Sequence, residues 1–370
     1  MFIAVGILFL LLYGLIVFYI GWSGWSWMKP KVNRRFRLLY SVAIIFLAVS
    51  FILARVFAGS VVLSVIGNYW LAAFCLLVML LPVVHLIVWL TRLTSLPRHQ
   101  VQKWAGVVTL IVFVGLLSWG TFNAYTPYVN SYEIEVDKRG PESGQLKVVM
   151  ASDMHFGYLS GKRHAERMVE EINKLKPDIV LFPGDIIDDD IEPYKEKGIG
   201  QTLSKIEAPY GVYASLGNHD RFRGEMSELI SLLEESGMKV LYDENETIGD
   251  WLTLIGRKDF SDQSRAELSS LTEGADHSGA LFLLEHQPVA FDIAQQQGID
   301  LIVSGHTHRG QIAPGNLVTQ RLFENDWGYL RKEQMHSIVS SGYGFWGPPI
   351  RIGSRAEIVV IDVKFTGSAS

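Results

Sequence analysis

The chain of 370 residues contains one cysteine, Cys75, and no Asp or Glu in its first 130 positions. One cysteine excludes an intrachain disulfide and a metal cluster held by several thiolates. Nine Lys and Arg lie within those 130 positions, so the remaining residues hold the other 24 basic and all 38 acidic side chains. The sequence therefore has two parts of different composition. The acidic second part has no basic tract to contact a phosphate backbone, which disfavours nucleic-acid binding.

Long apolar runs fill the first part, at residues 2–20, 38–57, 69–90 and 105–119. A helix needs about 20 mostly apolar residues to cross the hydrocarbon layer of a membrane. We therefore predict four transmembrane helices within residues 1–120. A cleaved signal peptide would require basic residues before the first run, and none occurs there. The sequence thus predicts a multi-pass protein of the cell membrane.

Basic residues in the loops predict the orientation of these helices. One residue, Arg55, lies near the loop between the second and third runs. Eight lie in the loops after the first and third runs: Lys29, Lys31, Arg34, Arg35, Arg37, Arg92, Arg98 and Lys103. The positive-inside rule places such loops in the cytoplasm, so everything after the fourth run is predicted to be extracytoplasmic. The absence of carboxylates in the spans disfavours a cation-coupled transporter.

Short apolar runs separated by polar loops characterise the second part. We interpret the turn-rich residues 121–144 as a linker and residues 145–370 as one α/β (α+β) domain, with two packed sheets flanked by helices. The predicted helices are Lys162–Lys176 and Gly224–Glu235. The predicted strands are Leu146–Ala151, Ile179–Phe182, Val212–Leu216, Trp251–Ile255, Ala280–Leu284, Leu301–Val303, Ser337–Ser340 and Glu357–Val363.

Polar clusters follow five of these strands at the same end. Such folds gather ligands at the carboxyl ends of strands. Imidazole mixed with carboxylate and amide oxygens suits Mn, Fe or Zn and does not suit an all-oxygen calcium site. The clusters are Asp153-x-His155, Gly184-Asp185, Gly217-Asn218-His219-Asp220, His286, and Gly305-His306-Thr307-His308.

The order of these motifs resembles the calcineurin-like metallophosphoesterase superfamily over about residues 146–362. The stretch Gly305–Gln311 resembles the membrane-attached bacterial phosphodiesterases within it. The resemblance implies two divalent transition-metal ions, of which the first is held by Asp153, His155 and His308. It assigns the second to Asn218, His286 and His306, with Asp185 between them.

The activity that the resemblance implies is phosphoester hydrolysis by hydroxide formed from water on the metal ions. His219 would be the general acid, with Asp220 orienting its ring. The expected substrate is a phosphorylated small molecule or a lipid-linked phosphoester, with membrane lipid nearby and the oligomeric state left open. The alternatives are a membrane transporter or sensor carrying an inert module, and a phosphoprotein phosphatase or nuclease on the same fold.

Other polar residues receive structural interpretations. Asp188–Asp190 are predicted to form a solvated acidic turn, and His164 is predicted to be exposed and inert. Arg351 is interpreted either as a phosphate-binding group or as part of a structural salt bridge. Arg309 stands where related proteins often have glycine, which adds a charge to the loop next to His308.

Overall fold

The computed structural model describes residues 2–28, 33–57, 59–220 and 226–367. It divides into two compact units. The helical unit comprises the residues up to Thr121 together with Gly347–Ile350, and the second unit comprises Phe122–Trp346 and the residues from Arg351 onward.

The helical unit contains α1 (Phe2–Met28), α2 (Arg34–Val56), α3 (Val61–Leu90) and α4 (Arg98–Tyr125, which continues past the unit boundary). Within the described residues, these four helices are long and apolar enough to cross a membrane. This confirms the predicted region of four apolar helices, although Lys29 and Lys31 of the first basic loop lie outside the described residues. The helices extend beyond the predicted runs because polar caps set some of their ends: the side chains of Asn33 and Ser60 accept hydrogen bonds at the starts of α2 and α3.

A close contact joins α2 and α3. Gly67 of α3 is buried, and a Cβ added to it would lie 2.7 Å from the Cα of Phe51 in α2. Small residues permit this approach of two helix backbones, which favours dispersion contacts between helices in an apolar solvent.

The second unit contains two six-stranded sheets. The first has the order β1-β12-β2-β3-β4-β5, and the second has the order β10-β11-β9-β8-β7-β6. The strands are β1 (Tyr128–Val136), β2 (Gln145–Met150), β3 (Ile179–Pro183), β4 (Val212–Ser215), β5 (Lys239–Val240), β6 (Glu244–Ile248), β7 (Leu252–Gly256), β8 (Ala280–Leu284), β9 (Leu301–Ser304), β10 (Gly328–Lys332), β11 (Met335–Val339) and β12 (Glu357–Phe365).

An apolar core lies between the two sheets and contains Val148 and Met150 of the first sheet with Phe282 and Leu284 of the second. Helices cover the outer faces, where two further clusters of buried side chains lie. The prediction of two packed sheets flanked by helices is therefore confirmed. The helices are α5 (Lys162–Leu175), α6 (Glu192–Glu196), α7 (Ile199–Leu203), α8 (Met226–Glu234), α9 (Leu268–Thr272), α10 (Phe291–Gln296) and α11 (Gly315–Leu322).

The spacing of apolar residues in helix α5 determines which of its faces is buried. Ala165, Met168, Val169 and Ile172 are buried at helical spacing, as predicted, and the helix ends where Lys176 adopts a left-handed conformation before Pro177. His164 was predicted to be exposed, and that prediction is wrong because its ring lies 4.3 Å from the ring of Tyr343 and is buried.

The predicted linker is also wrong over part of its length. Residues 128–136 form β1, which pairs in parallel with β12, so that Tyr128 lies opposite Glu357. Alternate residues of β1 face inward, and Ile134 and Val136 join the core between the sheets. Strands β5, β6 and β10 were not predicted, and the predicted start of α8 at Gly224 lies outside the described residues.

Candidate metal centre

Five strand ends meet at one edge of the two sheets. β2, β3 and β4 run parallel in the first sheet, and β8 and β9 run parallel in the second. Each of the polar clusters identified in the sequence follows one of these strands. The carboxyl ends of the strands therefore bring residues that are about 150 positions apart in the chain into one site.

The loops at these strand ends have an unusual backbone conformation. Asp153, His155, Asp185, His306 and His308 all have a positive φ, between 44° and 70°. Non-glycine residues rarely adopt this conformation, and it persists only where the surroundings hold it. Hydrogen bonds between loops supply that support: the amide of Asp153 donates to the carbonyl of Gly184 (3.1 Å), and the amide of His155 donates to the carbonyl of Asp185 (3.0 Å).

Glycine is required at two points in these loops. A Cβ on Gly184 would lie 2.5 Å from Nδ1 of His286, and a Cβ on Gly305 would lie 2.2 Å from Oδ2 of Asp153. Gly184 has a φ of 84°. The glycines that precede Asp185 and His306 thus let neighbouring loops approach closely enough for their side chains to converge.

The first group of candidate ligands contains Asp153, His155 and His308, all buried. Nε2 of His155 lies 3.1 Å from Nε2 of His308, and the latter lies 3.5 Å from Oδ1 of Asp153. Two imidazole nitrogens and a carboxylate oxygen therefore point at one small volume.

The second group contains Asp185, His286 and His306. Nε2 of His286 lies 3.1 Å from Oδ2 of Asp185, and Nδ1 of His306 lies 2.9 Å from Oδ1 of Asn218. The same Oδ2 of Asp185 also lies 3.6 Å from Nε2 of His155 in the first group. Asp185 therefore adjoins both groups, and His306 and His308 fall into different ones. The structure brings together all seven residues that the sequence singled out, and their role as ligands stays a prediction.

Unpaired polar atoms test whether metal ions fit here. Oδ2 of Asp153, Nδ1 of His155 and Nε2 of His286 are buried and have no hydrogen-bond partner among the described residues. The contact between His286 and Asp185 is close but lacks hydrogen-bond geometry. Nδ1 of His155 faces Asp188, so the atoms that point to an absent partner are those of Asp153 and His286. Unpaired buried polar atoms are costly and rare in proteins, and two lie together here. Imidazole and carboxylate donors in this arrangement fit divalent transition-metal ions.

The charged and buried groups of the site shift one another's pKa values. Burial raises the pKa of Asp185, but the charge of His286 and their close contact outweigh it and lower that pKa well below its usual value. Burial lowers the pKa of His286, and the carboxylate of Asp185 reverses this and raises it to about 10. Burial, with the charge of Arg351, holds the pKa of His308 well below its usual value. Asp185 is therefore ionised, and His308 is neutral and can donate a lone pair.

His219 lies beside the first group, with its ring 5.0 Å from the ring of His155. Its Nδ1 lies 2.9 Å from Oδ1 of Asp189, and its amide donates to Oδ1 of Asp185 (2.8 Å). Burial lowers the pKa of His219, but the hydrogen bond with Asp189 and the nearby carboxylates raise it to about 9. The raised pKa favours the protonated ring, which is the form that can act as an acid.

The prediction that Asp220 orients this ring is wrong. Asp220 is completely buried, and its two oxygens accept hydrogen bonds from the amides of Ile186, Ile187 and Gly217 at 2.8–2.9 Å. It thereby ties the loop of Asp185 to the loop of Asn218.

The acidic turn 188–190 is solvated, as predicted, and two of its members also contact the site. Asp189 contacts His219, and Oδ1 of Asp188 lies 3.5 Å from Nδ1 of His155. The amide of Asp189 also donates to the carbonyl of His219 (3.2 Å), a contact between distant loops that no local sequence signal reveals.

Arg351 is the largest completely buried side chain among the residues that the structure describes. Its guanidinium donates to the carbonyls of Gly342 and Gly344, and Nη2 lies 3.0 Å from Nδ1 of His308. No carboxylate of the described residues forms an ion pair with it, so the interpretation as a salt bridge is wrong. Arg351 instead holds the 342–344 turn against the metal-centre loop.

Residues 146–310 match the family model described as calcineurin-like phosphoesterase. A metallophosphoesterase of Aquifex aeolicus is 30% identical over 267 residues, which cover 70% of this chain and the whole of that protein. One from Campylobacter jejuni is 31% identical over 266 residues and is covered to 69% of its length.

The chain belongs to the calcineurin-like metallophosphoesterase family. This metallophosphoesterase is also similar to a transmembrane protein with a metallophosphoesterase domain from Danio rerio, at 31% identity over 274 residues. The match covers 70% of this chain and 62% of the zebrafish protein, so the chain spans less than two thirds of that relative. The family normally binds two divalent metal ions, in agreement with the two groups of candidate ligands.

Proposed function

We propose that this protein is a membrane-anchored hydrolase that cleaves a phosphoester with two divalent transition-metal ions. The observation that carries the proposal is the pair of adjoining ligand groups with their unpaired buried atoms, centred on Asp185. Asp153, His155 and His308 would hold one ion, and Asn218, His286 and His306 the other. When bound, two such ions activate water as the nucleophile and neutralise charge on the phosphate oxygens.

The protein's own part in the reaction is to place and move a proton. Because Nδ1 of His219 is engaged by Asp189, its Nε2–H is the group that donates to the leaving oxygen. Asp189 is a positioning residue that fixes the orientation of the ring, and Asp220 braces the loop beneath it.

We further propose that residues 1–120 anchor the protein and that the catalytic domain, residues 145–370 joined by β1, lies outside the cytoplasm. The excess of basic residues in two loops supports this orientation. Reporter fusions after residue 130 should behave as exported, and fusions near Arg34 should behave as cytoplasmic. The reverse pattern would overturn the orientation and leave the catalytic proposal intact.

The substrate class is proposed to be a phosphodiester or a lipid-linked phosphoester, because the chain carries four helices suited to a membrane. The test uses the full chain in detergent, stripped with a chelator and reloaded with Mn²⁺, Zn²⁺ or Fe²⁺. A phospholipid, a soluble phosphodiester, a phosphopeptide and an oligonucleotide are then compared. Hydrolysis of the first two is expected. Metal binding without hydrolysis of any substrate would support an inert module, and preference for the last two would support a phosphatase or nuclease.

A further inference from the structure

Helix α11 carries an exposed apolar face. Leu317, Val318 and Leu322 are 58%, 58% and 72% exposed, and no residue of this helix is buried. Val318 and Leu322 are one turn apart and share one face, and Leu317 lies about 100° around the helix from Val318, at the edge of that face. Large hydrophobic side chains grouped in this way at a protein surface mark a binding site more often than scattered ones do.

This helix is fastened to the metal centre at both ends. At its start, a Cβ added to Gly310 would lie 2.1 Å from the amide nitrogen of Asn316, so α11 packs directly on the loop that follows His308. At its end, the ring of Phe323 meets the ring of His306 edge-on at 6.0 Å. Thr319 also donates to Asp326, whose carbonyl accepts from Thr307 between the two histidines. The helix that carries the apolar side chains is therefore anchored directly beside the candidate ligands, through residues other than these three.

A second exposed apolar group lies at the site beside the proposed acid. The ring of Trp346 is 5.6 Å from the ring of His219, and the residue is 53% exposed. The side chain of Gln311, just before α11, bonds to both the amide and the carbonyl of Trp346 at 2.9 Å. The backbone of Trp346 is therefore held in place, and much of the residue's surface faces solvent.

The charge of α11 limits the class of ligand that could bind its apolar side chains. The helix contains no acidic residue and one basic residue, Arg321. Arg309, whose guanidinium lies over the ring of Trp327 at 3.8 Å, adds a second positive charge next to His308. An apolar surface that adjoins positive charge and a cation site matches a molecule with a phosphate at one end and hydrocarbon at the other.

We propose that the Leu317–Val318–Leu322 face of α11 binds the hydrocarbon chain of an amphiphilic phosphoester whose phosphate occupies the metal centre. This inference rests on the proposed phosphoesterase function and names the substrate class. The four membrane-suited helices of the same chain make lipids the ligand class that the protein meets. The bound chain would lie along the helix, shielding the three aliphatic side chains from water.

The test measures kcat/KM of the full chain in a fixed concentration of detergent. Alkyl p-nitrophenyl phosphodiesters from methyl to dodecyl, and n-alkyl phosphates over the same range, keep the reacting group constant while the chain grows. The readout is the ratio of kcat/KM between the dodecyl and methyl esters in whichever series is cleaved. This ratio cancels differences in the amount of active enzyme.

For the wild-type chain we expect a ratio of about 10–100, since each fully buried methylene contributes up to about fourfold and an open surface buries only part of the chain. The triple variant Leu317→Gln, Val318→Thr, Leu322→Gln should lower the ratio about tenfold. The matched control is Ile293→Gln in α10, a comparably exposed aliphatic residue (47%), which should leave the ratio unchanged. Partition of substrate into micelles is the same for all three proteins.

Three results would overturn the proposal. A wild-type ratio near one would show that the chain is not recognised, while hydrolysis of the methyl ester would still support the proposed function. An equal ratio in the triple variant would place the hydrocarbon elsewhere. A triple variant that keeps the ratio in detergent but loses activity on phospholipid vesicles would assign α11 to the bilayer surface. Failure to cleave either series with any metal would instead reject the proposed function.

Discussion

The two units of the protein satisfy their buried polar groups in opposite ways. In the helical unit, the hydroxyls of Ser23, Ser50 and Thr109 are buried, and each donates to a carbonyl of its own helix at 2.6–2.7 Å. In the second unit, buried atoms of Asp153, His155 and His286 have no partner among the described residues. A short local bond makes a polar group compatible with an apolar surrounding. Isolated unpaired atoms occur elsewhere in the second unit, as at His164, so it is several unpaired polar groups in one place that mark the candidate site.

The same contrast holds for apolar side chains. Only 6–17% of the most hydrophobic windows of the four helices is buried, whereas the strands of the second unit direct their aliphatic residues into the cores between and outside the sheets. The face of α11 is an exception in the second unit. Its three aliphatic side chains, Leu317, Val318 and Leu322, are exposed, as most aliphatic side chains of the four apolar helices are.

The largest effect is expected at the residue that the two ligand groups share. Asp185→Asn keeps the shape of the side chain but removes the charge next to His155 and His286. We expect a loss of more than about 10³-fold in kcat/KM, since metal ions contribute several kcal/mol to such reactions. Elemental analysis should show less bound metal, and circular dichroism should show an unchanged fold. If Asp185→Asn stays active and retains its metal, Asp185 is not the residue that the two metal sites share. The unpaired groups around it would then not mark the functional site.

Removal of the proposed acid should come next. His219→Ala should lower kcat by about 10²–10⁴-fold without removing bound metal, the range typical of acid–base catalysis. Esters of p-nitrophenol should be affected much less, because their leaving group needs no proton. Equal losses for alkyl and nitrophenyl esters would argue against this role.

A smaller loss is expected when the ring of His219 is kept and its partner is changed. Asp189→Asn should lower kcat by about tenfold, less than removal of the ring, because the hydrogen bond that orients Nδ1 is weakened but not lost. Asp190→Asn is the matched control, since Asp190 accepts from the amide of Glu192 and carries the same charge. Similar losses in both variants would indicate an effect of charge alone.

His164 should make the stability of the second unit depend on pH. Its buried Nε2 has no hydrogen-bond partner in the described part of the chain, and burial lowers the pKa of His164 to about 3. The unfolded chain binds a proton below about pH 6.5, whereas the folded chain does not until pH 3. Stability is therefore complete above pH 6.5 and decreases as the pH falls, by about 2 kcal/mol at pH 5.

Urea unfolding of the metal-free chain at pH 7.5 and pH 5 measures this difference. His164→Leu should remove about 2 kcal/mol of the pH dependence, and His277→Leu, which replaces an exposed histidine, is the matched control. Identical pH dependence in the wild type and in His164→Leu would contradict the assignment.

The smallest effect is expected in the helical unit. Ser50→Ala removes a hydroxyl that bonds only to Leu47 of its own helix, and it leaves no group unpaired. We expect a change of about 0.6 kcal/mol in the free energy of unfolding, measured by SDS denaturation in mixed micelles. A loss of unfolding free energy several times larger would mean that the hydroxyl of Ser50 contributes more than a local hydrogen bond. The proposed difference between the buried polar groups of the two units would then not hold.

Much of the candidate site could be predicted because its residues directly follow short apolar strands in the sequence. Asp153, Asp185 and His306 occupy such positions, and parallel strands bring them to one edge. The partner of His219 could not be predicted, because Asp220 is its neighbour in the chain while Asp189 reaches it only through folding of two loops. His164 was misjudged because Tyr343, 179 residues later, covers it.

Strand β1 was missed for a related reason. Its inward positions include Asn130 and two tyrosines, and only Ile134 and Val136 provide aliphatic signal. The apolar pattern of β1 is too weak to separate it from a linker, and its partner β12 lies more than 220 residues later.

That long separation bears on how the chain is made. Among the described strands, β12 is the neighbour of β1, so β1 must wait for some 220 residues to be synthesised before its backbone can pair. An unpaired apolar strand would be prone to aggregate during this interval. With Asn130, Ser131, Glu133 and Glu135 among its nine residues, β1 can remain soluble until its partner strand has been synthesised. The polar composition that hides the strand from sequence patterns is thus suited to protecting a nascent protein.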